Sequence, residues 1–137
     1  MPGTEVPGAA SASPRVLIVE DADATRALIE LVLRRYGGTI EGCGDGRSGL
    51  RRALSWQPDL VILDIALPEM DGWEVLAALR SNPATASIPV VITTAHAAPE
   101  LQDRARRDGA TAVVCKPFAP AEMRAVVEPL LPQRIPV

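Results

Sequence analysis

Leu60-Val61-Ile62-Leu63-Asp64-Ile65-Ala66-Leu67-Pro68-Glu69-Met70-Asp71-Gly72 is the stretch on which the fold turns. Four apolar residues lead straight into a carboxylate. An unbroken apolar run of that length between turn formers suits a strand buried on both faces of a parallel sheet. Pro68 and Asp71-Gly72 then mark a turn and the start of a new element. Asp64 therefore stands where a central strand runs out, the place where open α/β sheets bind ligands. Taken alone, the stretch leaves two readings open: Asp64 caps the next segment, or it is a reactive carboxylate.

Working outward, the same pattern repeats. Arg15-Val16-Leu17-Ile18-Val19 forms a first strand that ends in Glu20-Asp21-Ala22-Asp23, and Asp23 is the expected N-cap of the helix that follows. Ala24, Leu28, Leu31, Val32 and Arg35 fall on one helical face, and Gly37-Gly38 stops the helix. Thr39 to Cys43 is a second strand, followed by a helix from about Arg47 to Ser55 with Leu50, Ala53 and Leu54 inward. Beyond the Asp64 strand come a helix over Gly72–Asn82, with Trp73, Leu76 and Leu79 in one stripe, and a strand over Pro89–Thr94. A weakly apolar helix over Pro99–Asp108 follows, carrying Leu101, Ala105 and three arginines. Last come a strand over Thr111–Cys115, the tripeptide Lys116-Pro117-Phe118, and a helix opened by Pro120 with Met123, Val126, Val127 and Leu130 inward. Pro129 shortens or kinks it.

Five alternations with short connections predict an α/β fold, a doubly wound five-stranded parallel sheet of flavodoxin-like order 2-1-3-4-5. Residues 14–131 are the expected folded domain, with a disordered Pro/Gly/Ala/Ser tail over 1–13 and a short tail over 132–137. Strands two and five lie at opposite edges in this order, so Cys43 and Cys115 read as small buried residues at strand ends and not as a disulfide.

The chain has 137 residues, 47% of them apolar, and a net charge of −3. That supports one sizeable core and argues against nucleic acid as the main partner, because phosphate-backbone binding needs clustered positive charge. No apolar run approaches a membrane span and no basic-then-apolar leader opens the chain, so no membrane partner and a cytoplasmic location are expected. The single lysine, Lys116, stands out in a chain whose other basic residues are all Arg. Lysine is a compact point charge on a flexible stem, whereas Arg is a planar fork.

In the predicted order, strands one, three and four are adjacent and their carboxyl ends converge. Glu20, Asp21 and Asp64 would repel one another unless a cation neutralised them, and hard carboxylate and carbonyl ligands suit Mg²⁺ better than Zn²⁺. With Thr94 and Lys116 facing it, such a carboxylate is equipped to take a phosphoryl group.

Val-Leu-Ile-Val-Glu20-Asp21, Leu-Asp64-Ile-Ala-Leu-Pro-Glu-Met-Asp-Gly, Ile-Thr-Thr94-Ala and Cys-Lys116-Pro-Phe together resemble the receiver domain of two-component response regulators, of the single-domain, chemotaxis-regulator-like type. The resemblance runs from about Pro14 to Leu131. It implies that Asp64 is the phosphoacceptor, charged by a histidine kinase or histidine phosphotransfer protein. It implies Mg²⁺ held by Asp21 and Asp64, by Glu20 through water, and by the backbone carbonyl of Ala66. It implies Thr94, which immediately precedes Ala95, as the switch hydroxyl, Lys116 as the phosphate-pairing lysine and Pro117 as the cis-prolyl position. Many receivers carry an aromatic residue three before the lysine; here it is Val113, so output must use the backbone or helix packing. Ala66 and His96 occupy positions that tune phosphoryl lifetime in the family. His96 either orients the hydrolytic water or is an exposed loop residue, and the small Ala66 implies a short-lived phosphate.

Because only six residues follow Leu131, no effector domain is expected, and output is expected either through contact of an unknown downstream protein with the face built from the fourth helix, fifth strand and fifth helix, or by passing the phosphoryl group along a relay. Two alternatives remain. A phosphatase using Asp64 as nucleophile would place a second Asp where Ala66 stands and would have a cap insertion. A non-phosphorylated interaction module would have lost an acid, the Thr or the Lys. The arginines of the fourth helix read as a solvated face, Trp56 and Trp73 as packing residues, and Gly42–Gly46 lacks a phosphate-loop pattern.

Overall fold

A computed structural model describes residues 13–96 and 98–132. The expected disordered tails fall almost wholly outside these residues. Strands β1 (Arg15–Val19), β2 (Thr39–Cys43), β3 (Leu60–Asp64), β4 (Val90–Thr94) and β5 (Ala112–Cys115) are all parallel, in the order β2-β1-β3-β4-β5. Helices α1 (Asp23–Leu33), α2 (Gly46–Trp56), α3 (Gly72–Ser81), α4 (Pro99–Arg107) and α5 (Pro120–Val127) alternate with them, and short 3₁₀ turns at Arg34–Tyr36 and Glu128–Leu130 extend α1 and α5. This is the predicted architecture. Five-residue strands whose every side chain is buried, as in β3 and β4, are what continuous apolar runs produce when both sheet faces are covered.

Strand alternation divides the core in two. Val16, Ile18, Leu60, Ile62, Val91 and Val114 point toward α1 and α5, where Ile29, Val32, Met123 and Val127 meet them. Leu17, Val19, Val61, Leu63, Val90 and Ile92 point the other way, toward Ala53 of α2 and Val75, Leu76 and Leu79 of α3. The tyrosine at the end of α1 ties the first layer together: Tyr36 donates to Glu128 Oε2 at 2.6 Å. Burial and that carboxylate push its phenol up to about 12.

Four expectations are corrected. The inward face of α1 carries Ile29, Val32 and Leu33, while Leu28 and Leu31 are exposed at 39% and 59%. Ala27 to Leu33 is apolar at every position except Glu30, so spacing alone fits more than one face. Asp23 does not cap α1; Ala22 is the N-cap, and the Asp23 carboxylate is drawn instead onto Arg26 at 2.6 Å. In α2, Leu54 is exposed and the closest packing is made by Gly46, Gly49 and Ala53. A Cβ at Gly49 would run into Val19, so this helix sits nearer β1 than a larger residue allows. Cys43 and Cys115 are half-buried, on strands at opposite edges, and both are free thiols.

Candidate functional site

Register brings the strand ends to one level. Val19 of β1 pairs with Leu63 of β3, and Asp64 pairs with Thr93 of β4. Continuing the alternation, Glu20, Asp64 and Lys116 all project on the α1/α5 side of the sheet edge. Their oxygens and nitrogen meet there. Lys116 Nζ donates to Glu20 Oε1 at 2.8 Å and lies 3.2 Å from Asp64 Oδ2. Carboxylate oxygens of Glu20, Asp21 and Asp64 lie within 4.8 Å of one another. Glu20 and Asp64 are buried and Asp21 is exposed, so the cluster opens to solvent on one side only.

The loops hold these groups by backbone amides. The Ala22 amide donates to Glu20 Oε2 at 3.1 Å, and the Ala66 amide donates to Asp64 Oδ1 at 3.2 Å. Arg26 braces the acidic loop by donating to the Glu20 carbonyl at 2.7 Å while it pairs with Asp23. Sequence reasoning missed this role; the signal was the Asp23–Arg26 spacing of three on a helix. After Asp64 the chain turns through Glu69, a non-glycine residue with φ of 65°, and re-enters at Gly72. Gly72 has to be glycine because a Cβ there would collide with the Asp64 carbonyl. The peptide bond between Lys116 and Pro117 is cis, as the resemblance implied.

Burial pushes the Glu20 carboxyl above the usual carboxylate range, against the hydrogen bonds from Lys116 and Ala22 that pull it down. Burial also opposes the Lys116 charge, but the Glu20 hydrogen bond and the charges of Asp64 and Glu20 outweigh it and hold the ammonium above its ordinary pKa. Three carboxylates around one ammonium leave negative charge to spare. With every donor an oxygen, the site fits a hard divalent cation such as Mg²⁺.

The two threonines of β4 part company. Thr94 ends β4, and its hydroxyl is engaged with its own loop, donating to the His96 carbonyl at 3.2 Å and accepting from the His96 amide at 3.1 Å. Thr93 shares the Asp64 face. His96 is exposed and so is Ala66.

A doubly wound sheet with an acidic, lysine-bridged site at its carboxyl edge defines the class. Residues 16–128 match the model of the response regulator receiver domain, and the chain belongs to that family, the receiver domains of two-component systems. It is 37% identical over 115 residues to a probable chemotaxis protein CheY of Rhizobium etli, covering 83% of this chain and 89% of that one. It is also 39% identical over 120 residues to a DNA-binding dual master transcriptional regulator, RpaA, of Synechocystis, covering 86% of this chain but 49% of the relative. The chain spans about half the length of several such regulators. Among solved structures, the chemotaxis protein CheY4 of Vibrio cholerae superposes with a TM-score of 0.82 at 29% identity, covering 88% of this chain and all of that one. A response regulator structure from Chloroflexus aurantiacus gives the same TM-score at 30% identity. No described helix is long and apolar enough to cross a membrane.

Proposed function

We propose that this chain is a phosphoacceptor that takes a phosphoryl group onto Asp64 from a histidine kinase or histidine phosphotransfer protein, with Mg²⁺ bound. The observation that carries the reading is the setting of Asp64: a buried carboxylate at the end of a central strand, with an ammonium 3.2 Å from one oxygen and two further carboxylates beside it. Glu20, Asp21 and Asp64, with the Ala66 carbonyl, would hold the metal. When bound, the ion supplies positive charge to the oxygens of the transferring phosphoryl group.

The Ala66 amide and the buried floor of β3 fix the direction of the Asp64 carboxylate, so that one oxygen faces the incoming phosphorus. That oxygen forms a P–O bond as the P–N bond to the donor imidazole breaks, and the bonding pair stays on the imidazole nitrogen, which takes up a proton. Lys116 turns its charge from the free carboxylate to the phosphoryl oxygens, and Thr94 gives up its turn with His96 to donate to one of them. An apolar cleft of about 340 Å³, lined by Thr25, Leu28, Ala95, Lys116, Pro117 and Phe118, opens beside the site and receives the donor protein. Exposed Ala66 leaves the product open to water, which makes it short-lived. The unit doing this is residues 14–131, working in the cytoplasm, and its output passes to a downstream protein through the α4–β5–α5 face without an aromatic at Val113.

The test is incubation with acetyl phosphate or a phosphoramidate and Mg²⁺, followed by intact-mass measurement. Wild type is expected to gain one phosphoryl group and Asp64→Asn none. A wild type that gains nothing, even in the cold, leaves the non-phosphorylated module in its place.

A further inference from the structure

Among the described residues, one buried side-chain polar atom lacks a hydrogen-bond partner, the hydroxyl of Thr93. The residue is 1% exposed and sits level with Asp64 on one side and Val114 on the other. An apolar residue of the same shape, such as valine, would fill this place without stranding a donor. The neighbouring positions on this face of β4 and β5, Val91 and Val114, are valines. The hydroxyl therefore destabilises the resting fold, and a function is the physical reason to retain it.

Its position supplies one. Lys116 leaves β5 yet its ammonium reaches Asp64 on β3 and Glu20 on β1. With strands roughly 4.8 Å apart, the side chain has to cross β4. On this face, the last residue of β4 beneath that crossing is Thr93. The ammonium has three donors, and in the resting site it bonds Glu20 at 2.8 Å and lies beside Asp64 at 3.2 Å. Once Asp64 carries a phosphoryl group, the carboxylate oxygen nearest Lys116 is replaced by a larger, more charged acceptor, and the ammonium is drawn toward β3 and away from Glu20.

We propose that Thr93 is a positioning residue for phosphoryl transfer: its hydroxyl accepts a hydrogen bond from Lys116 as the ammonium moves, and holds it over Asp64. The inference rests on the phosphoacceptor reading of Asp64. Thr93 touches neither phosphorus nor metal in this scheme and acts through Lys116 alone. Thr94, one residue further along at the end of β4, has the separate task of meeting the phosphoryl oxygen. The adjacent hydroxyls thus divide the work at the end of one strand.

Wild type, Thr93→Val, Thr93→Ser and Asp64→Asn are compared in three measurements on the full chain. Thermal melting of the metal-free protein reads the stranded hydroxyl, and intact mass against time with acetyl phosphate and Mg²⁺ reads the rate. Because Lys116 is the only lysine, ¹⁵N-lysine labelling gives a single ammonium signal, followed with beryllofluoride and Mg²⁺. Thr93→Val is expected to melt on the order of 3 °C higher. It is expected to gain the phosphoryl group roughly tenfold more slowly, the worth of one hydrogen bond to a charged group. Its Lys116 signal is expected to broaden through faster exchange with water, and Thr93→Ser to restore both rate and signal. A packing role would move melting and rate in the same direction, and that result overturns the proposal. So does a Thr93→Val protein with wild-type rate and an unchanged ammonium signal while wild type is phosphorylated normally. A wild type that takes no phosphoryl group removes the parent reading and this inference with it.

Discussion

Helices α3 and α4 follow neighbouring strands on the same side of the sheet, and they are attached to it in very different ways. α3 begins just after the Asp64 loop and buries Gly72, Val75, Leu76 and Leu79. Its start is fixed by a reciprocal cap: Asp71 Oδ1 accepts from the Glu74 amide and Glu74 Oε1 accepts from the Asp71 amide, both at 2.9 Å. α4 begins just after the Thr94 loop, buries only Ala105 and has Ala98 at its N-cap with no side-chain bond. Its ion pairs, Arg104–Asp108 and Arg106–Asp103, are exposed and contribute little. Arg104 links α4 to its neighbour, its guanidinium stacking 4.1 Å from the ring centre of Trp73 at the start of α3, while Arg80 of α3 donates to the Gly109 carbonyl just beyond α4 at 2.9 Å. The site therefore has a fixed wall beside the nucleophile and a loosely held one beside Thr94. Elements that move are drawn from the low-stability end of a fold, and α4 is the helix built that way.

The contrast breaks most sharply at the apolar anchors. Leu76→Ala is expected to cost about 3 kcal/mol, since a fully buried leucine leaves a cavity on truncation. Leu101→Ala, on the half-buried face of α4, is expected to cost less than about 1 kcal/mol. Urea unfolding of the two variants checks both. Equal losses would show that α4 is as firmly seated as α3. The caps come next. Asp71→Ala is expected to cost about 1 kcal/mol, and Ala98→Ser to stabilise α4 by about half as much, because the latter supplies a missing side-chain acceptor. If α4 has to move for output, Ala98→Ser stabilises the protein while weakening its response to beryllofluoride.

What could be read in the chain, and what could not, follows the same division between local pattern and cross-element contact. The unbroken run Leu60–Leu63 suits a strand covered on both sides, and similar runs in β1, β4 and β5, alternating with helical segments, point to the parallel sheet and the convergence of Glu20, Asp21, Asp64 and Lys116. Those groups lie at strand ends, where position along the chain translates directly into position in space. The face of α1 was not legible, because six apolar residues between Ala27 and Leu33 satisfy the helical period in more than one way. Asp23 had the composition of a cap but found a stronger partner in Arg26. Thr93 was passed over because Thr94 matched the family pattern, while register and burial, which the sequence does not state, put Thr93 level with Asp64. The Arg104–Trp73 stack joins residues 31 apart in the chain, and nothing local to either one announces the other.

That stack carries the smallest effect and the most specific one. The other contact of Arg104, its exposed 3.4 Å pair with Asp108, contributes little, so Arg104→Ala removes chiefly the cation–π contact and some stem packing, about 0.5 kcal/mol. The loss is expected to fall on α4 alone. Amide hydrogen exchange in Pro99–Arg107 should quicken by roughly twofold while Gly72–Ser81 stays as protected as before, because α3 keeps its buried leucines and its cap. Trp73 fluorescence should shift, with Trp56, flanked by Arg15 and Arg52 at 5.8 and 5.2 Å, unchanged as the internal reference. In wild type, beryllofluoride should produce a Trp73 shift of the same sign, since drawing Thr94 toward Asp64 pulls on the loop that starts α4. In Arg104→Ala that shift should be largely lost, because the ring no longer has a partner on α4 through which to sense the movement. A variant that still reports the full change at Trp73 would assign the signal to the Asp64–Gly72 loop instead, and would make α3, the fixed wall, the element that moves.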